Sequence, residues 1–188
     1  KIGYVLGDAS NAYGKVISKS WLARAKKEEV SFSPEAGWDD VKLKTFRRHI
    51  VELGKTGFTF IYDELEAEEP VTWSYLLHTV TNPMNVNMVN EFVHVQATSK
   101  NGISDAYLLG SDELKTDTTS QFFTPATNWL RADDKGNFKK YPNHWHFTAT
   151  SGKHKVYRFV TIINTHINKT TPDKPFAVPQ RLKDGSIK

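Results

Sequence analysis

Short runs rich in β-branched and aromatic residues follow one another along almost the whole chain, separated by Gly, Asn, Asp and Pro. Such residues suit a half-buried pleated surface, and the separators are turn formers. Strands are expected near 2–7, 41–53, 57–65, 70–80, 91–98, 103–110, 120–123, 144–150 and 154–165. Leu53-Gly54-Lys55-Thr56-Gly57 joins the second and third as a hairpin turn. Glu66 to Pro70 reads as an acidic turn before the fourth. Between 91 and 98, Phe92, His94 and Gln96 alternate with Val93, Val95 and Ala97, the period-two pattern of a strand with one apolar face.

One stretch has helical spacing, Ser18 to Glu29, with Trp21, Leu22 and Ala25 about a turn apart; it runs into the breakers Ser33-Pro34-Glu35-Ala36-Gly37. Residues 124–143 read as a long excursion, and excursions of that length are often functional. Many consecutive strands without a βαβ rhythm predict an all-β fold, an antiparallel two-layer β-sandwich with long loops and one short helix. The sandwich is assigned to 1–165 and an extended tail to 166–188.

The chain has 188 residues, enough for one sizeable core. With 38% hydrophobic and 24% charged residues it has the composition of an ordinary globular domain. It has no cysteine, which excludes disulfides and thiolate chemistry. The excess of 25 basic over 21 acidic residues tolerates an anionic partner without pointing to nucleic acid. No apolar run has the length of a membrane span. Lys1 to Gly7 reads as the middle of a strand, so the chain is expected to belong to a longer protein.

No phosphate-binding Gly loop, Gly-x-Ser-x-Gly elbow or His-Glu-x-x-His pair occurs. The acidic run Asp63, Glu64, Glu66, Glu68 and Glu69 is most simply a solvated strand end. Seven histidines remain, of which His144 and His146 would share one face of a strand, as two chelating imidazoles or as two ordinary ones. Residue by residue, these observations stop at a mildly basic β-sandwich with scattered histidines.

Several segments, taken in order, carry a resemblance. Gly7-Asp8-Ala9 with Tyr13 nearby, Phe46-Arg47-Arg48-His49-Ile50-Val51, Phe58-Thr59-Phe60-Ile61-Tyr62-Asp63-Glu64-Leu65 and Trp73-Ser74-Tyr75-Leu76-Leu77-His78 follow one another. Gln121-Phe122-Phe123-Thr124-Pro125 and Pro142-Asn143-His144-Trp145-His146-Phe147 come later. This succession resembles the β-sheet region of the heparinase II/III group of bacterial polysaccharide lyases, the last two segments its heparinase II branch. Residues from about Val16 to Asp40 depart from the pattern as an insertion.

The resemblance implies a parent enzyme that cleaves uronic-acid glycans, heparin or heparan sulfate among them, by β-elimination. Its catalytic groups would lie upstream, most of them in an N-terminal α/α toroid absent from this chain. It further implies a zinc site to which Asp8 and His78 would contribute, with a third ligand before Lys1, and a substrate contact at Tyr13. An anionic polysaccharide and the toroid are the expected partners, a homodimer is compatible, and neither nucleic acid nor membrane is expected. The location would be the bacterial periplasm or outside the cell. A reading from another class is a non-catalytic carbohydrate-binding sandwich that grips an anionic glycan.

Overall fold

The computed structural model describes residues 1–12, 20, 23, 26–29, 42–80, 82–120, 131–132, 134–139, 144–167 and 178–188. Ten strands are described: β1 (Gly3–Asp8), β2 (Leu43–Glu52), β3 (Phe58–Thr79), β4 (Asn85–Val89), β5 (Phe92–Thr98), β6 (Gly102–Gly110), β7 (Lys115–Thr119), β8 (Arg131–Ala132), β9 (Phe138–Lys139) and β10 (Trp145–Ile167). Eight form one antiparallel sheet in the order β1-β2-β3-β10-β6-β5-β4, with β7 pairing the other half of the same β10 edge, and β8 and β9 pair separately. The all-β, antiparallel expectation is met. Ser20, Ala23, Lys26 and Lys27 have helical backbone; most of the expected helix and of the insertion lies outside the described residues, as does most of the excursion at 124–143 and of the strand expected at 120–123.

The largest departure concerns two strands expected to be four. Residues 57–65 and 70–80 form one strand, β3, and 144–150 and 154–165 form one strand, β10. Glu66 to Pro70 is therefore not a turn between strands. The β3–β10 register passes from Glu66↔Val156 to Val71↔His154, so Ala67 to Pro70 have no partner on β10. Proline lacks the N–H that a ladder needs, and it is tolerated where the ladder is interrupted.

The interruption bends the ribbon, and the bend makes the sandwich. Ala149 is the register partner of Tyr75, and Phe159 lies ten residues further along β10. In a straight strand they would be about 33 Å apart. The rings of Tyr75 and Phe159 are instead 5.5 Å apart, so the two halves of the hairpin face each other. Residues from both halves, including Leu65, Trp73, Tyr75, Phe147, Ala149, Tyr157 and Phe159, share one buried cluster with Val93 and Val95 of β5 and Ala106 and Leu108 of β6. The bend is tied by Trp73, whose backbone N–H donates to Ser151 Oγ at 3.0 Å and whose indole N–H donates to the His154 carbonyl at 3.0 Å.

Arg48 closes the same region from β2. It donates through Nε and Nη2 to Asp63 at 2.7 and 2.8 Å, and its guanidinium lies 5.1 Å from the centre of the Tyr75 ring. Asp63 is 1% exposed, and the fork-shaped pair lets a buried carboxylate keep its hydrogen bonds. At the β2–β3 turn, Gly57 has φ 75°, and a Cβ there would sit 2.5 Å from the Thr165 carbonyl oxygen. Only glycine fits both constraints.

The opposite face of β5, β6 and β10 is covered in part as well. Phe92, Tyr107 and Ile162 form a second cluster that Ile187 packs against. Phe92, at the start of β5, is thus buried on the face opposite Val93 and Val95, while His94 and Gln96 beyond it are half-buried. The tail expected to be extended is partly folded: β10 runs through Ile167, and Gln180 and Lys188 exchange backbone hydrogen bonds across a turn.

Candidate functional site

Antiparallel register lines up side chains on the outer face of β1, β2, β3 and β10 in three rows. Tyr4, Val51, Phe60 and Ile162 form the first. Leu6, His49, Tyr62 and Val160 form the second, and Asp8, Arg47, Glu64 and Arg158 the third. The third alternates in sign from strand to strand, so each charge has an opposite neighbour.

Arg47 Nε donates to Asp8 Oδ2 at 2.9 Å, and Asp8 Oδ1 accepts from the Ser10 hydroxyl at 2.6 Å and its N–H at 3.0 Å. Ser10 Oγ in turn accepts from the Phe46 N–H at 2.9 Å, which pins the end of β1 to β2. The Ser10 hydroxyl first and Arg47 second hold the Asp8 carboxyl well below the usual carboxylate range. In the middle row, His49 Nε2 lies 3.1 Å from Glu64 Oε2 and its Nδ1 lies 2.8 Å from the Tyr4 hydroxyl. A carboxylate only accepts, so Glu64 fixes the hydrogen on Nε2. In the neutral imidazole, Nδ1 then accepts from Tyr4. Its hydrogen bond to His49 holds the Glu64 carboxyl below its ordinary value.

The rings follow the same path. Tyr4 and His49 are stacked with centroids 6.1 Å apart and planes at 29°, and His49 and Tyr62 are 5.8 Å apart. Tyr4 is 59% exposed, Leu6 47% and Tyr62 39%. A row of rings crosses three strands and stays open to solvent.

Two further nodes bind histidines to carboxylates. Asp105, on β6, accepts from His94 Nε2 at 2.8 Å, Gln96 Nε2 at 2.9 Å and His166 Nε2 at 3.2 Å. Burial raises its carboxyl, but these hydrogen bonds together outweigh burial and leave it below the ordinary value. His94 also stacks on Tyr107 at 4.5 Å. Asp112 takes the Tyr157 hydroxyl and His154 Nε2, each at 2.6 Å, at the turn that follows β6. The Tyr157 hydrogen bond is the main cause of its lowered carboxyl.

Of the residues expected at a site, Asp8 ends β1 within the charged row, and His78 lies in register with His146 near the end of β3, their rings edge to face at 4.6 Å. His78 is exposed and His146 buried. Burial lowers the His146 imidazole, with His78 and His144 adding to the effect. Tyr13 lies outside the described residues.

These residues do not fit a zinc ion as placed. Asp8 Oδ1 already accepts two hydrogen bonds from Ser10, and Oδ2 is bonded to the Arg47 guanidinium rather than facing a second ligand. Among the described residues no group of three or more His, Asp or Glu could hold a metal. No described helix is long and apolar enough to cross a membrane.

The ring row was missed in the sequence because its members come from three strands. Residues 4, 6 and 8, 47, 49 and 51, and 60, 62 and 64 each share a face by period two, but only the register brings the three sets together. No protein-family model matches the chain, and no curated protein matches it.

Proposed function

We propose that the chain is the β-sandwich part of a polysaccharide lyase that acts on uronic-acid glycans, with the catalytic groups on a toroid outside these residues. The observation that carries this reading is how the resembling segments meet. Gly7 and Asp8 pair with Arg48 and Arg47, Arg47 pairs with Glu64, and His78 pairs with His146. The described parts of these segments, from Gly7 to Phe147, belong to one sheet, as expected of a unit that serves one purpose.

β-Elimination needs a base at the uronate C5, a partner for the carboxylate and an acid for the leaving oxygen. The arginines described on β2 and β10 are held by other groups. Arg48 is bound to Asp63 and Arg47 to Asp8, and Arg158 Nη1 donates to two backbone carbonyls. That favours a supporting surface over a complete reaction centre. A second reading, a non-catalytic module that binds glycan, is favoured by the exposed rings of Tyr4 and Tyr62.

The test is ultraviolet absorbance of unsaturated uronate after mixing with heparan sulfate or alginate. The chain alone should produce none, and a longer protein that includes an upstream toroid should produce it. Absorbance from the chain alone would place the base among these residues. None from the longer protein would favour the binding module.

A further inference from the structure

We infer that the free edge of β1 pairs with β1 of a second copy of this chain, antiparallel about a two-fold axis at Val5, so that one sheet runs through both copies. The inference goes beyond the lyase reading and does not depend on it.

The backbone says what kind of partner fits. The Ala9 N–H donates to the Phe46 carbonyl at 2.8 Å, and β1 pairs β2 without a break in register from Gly3 to Asp8. In an antiparallel ladder alternate residues bond to the same neighbour. Gly3, Val5 and Gly7 therefore bond to β2, while the N–H and C=O groups of Tyr4 and Leu6 point away from it. Among the described residues no strand lies on that side. A row of open donors and acceptors at strand spacing fits another strand.

The side chains say that the strand is meant to be covered. Edge strands are ordinarily guarded by charge, proline or a bulge. The other two strands with a single described partner, β4 and β7, carry Asn85 and Asn87, and Lys115 and Asp117. From Ile2 to Gly7 the chain has no charge and no proline, and all six residues of β1 are exposed.

The order of the residues selects a second copy. Gly3-Tyr4-Val5-Leu6-Gly7 has the same pattern from either end: glycine, a large apolar residue, valine, a large apolar residue, glycine. A two-fold axis normal to the sheet places residues of one face opposite each other. With the axis at Val5, Val5 meets Val5, Gly3 meets Gly7, and Tyr4 exchanges both backbone hydrogen bonds with Leu6 of the other copy. Ile2 meets Asp8, whose carboxylate stays with Arg47. No like charges are opposed, and a pairing of this kind is closed, so growth stops at two. Both faces of the sheet stay open.

The test is sedimentation equilibrium of the 188-residue chain from about 1 to 500 µM, the range of a small interface. The mass should rise from 21.4 kDa towards twice that and no further. The Tyr4 and Leu6 amides should exchange with solvent at least about tenfold more slowly in the dimer, while the Val5 amide, already bonded to β2, changes little. Val5 is 61% exposed, so Val5→Lys and Val5→Glu should fold. Each should weaken association by at least about tenfold, because like charges meet at the axis, and an equal mixture of the two should pair again. Leu6→Pro removes an edge N–H and leaves the β2 ladder intact, and it should also weaken association. Met88→Lys, on β4, should not.

A monomer at every concentration would overturn the inference, as would growth past the dimer. So would a dimer that Val5→Lys and Leu6→Pro leave intact, or Lys and Glu variants that stay apart when mixed. None of these results touches the lyase reading, which is judged by the longer protein's elimination activity.

Discussion

Replacing Arg48 by methionine tests how the sandwich is closed. Met keeps most of the apolar stem and removes the guanidinium, leaving the Asp63 carboxylate, 1% exposed, without its two hydrogen bonds at 2.7 and 2.8 Å. Removing one partner of a buried pair costs about 3–5 kcal/mol. The Arg48 side chain keeps 44% of its surface in solvent, so water can reach part of the gap and the lower end applies, about 3 kcal/mol. For a chain of this size that corresponds to roughly 6–12 °C in Tm. Urea unfolding followed by Trp fluorescence measures the free energy, and calorimetry the Tm. Arg48→Met with Asp63→Leu removes both charges together, and it should be less damaging than Arg48→Met alone. A loss below about 1 kcal/mol for the single variant, or a double variant that equals the sum of the two singles, would refute the argument.

Three further outcomes follow from other parts of the sheet. Gly110→Ala should destabilise by about 1–3 kcal/mol in urea unfolding, because a Cβ there collides with the Tyr157 hydroxyl and crowds the Asp112 carbonyl. Asp105 has its carboxyl below the ordinary 3.8. Its contribution to stability is therefore complete above that value and is lost as pH falls through the lower folded value. Tm should drop as pH falls below about 3.8, and less steeply in Asp105→Asn. Zinc added to the chain should leave Tm unchanged, since a ligand that does not bind the native state does not stabilise it; a rise with zinc concentration that Asp8→Ala abolishes would mean that Asp8 exchanges Arg47 for metal.

Much of the sheet was legible in the sequence. The runs at 2–7, 41–53, 91–98 and 103–110 became β1, β2, β5 and β6 with ends shifted by a residue or two, because alternation and turn residues are local signals. Strands β4 and β7 were not anticipated. Asn85-Val86-Asn87-Met88-Val89 and Lys115-Thr116-Asp117-Thr118-Thr119 are polar, exposed or only partly buried sequences that owe their pairing to β5 and β10. The merging of four strands into two was also hidden. Pro70 marks an interruption in both outcomes, and only the neighbouring register tells a turn from a bend within a strand.

The site was less legible than the fold. Four of the seven histidines, His49, His94, His154 and His166, lie on carboxylates far away in sequence. Such pairs depend on register, which no local pattern encodes. Asp8 and His78 were expected at a metal, but Asp8 is held by Ser10 and Arg47, and His78 meets His146. The candidate face emerged from Tyr4, His49 and Tyr62, none of which had been singled out for a role.

As proposed, this chain supplies contact and support, and the chemistry lies on residues outside it. The most direct test is steady-state elimination kinetics of the longer protein carrying Tyr4→Ala and Tyr62→Ala together. A KM raised by about tenfold or more with kcat within about twofold is expected, the signature of lost uniform binding. A collapse of kcat at unchanged KM would contradict it by placing the outer face in the reaction itself.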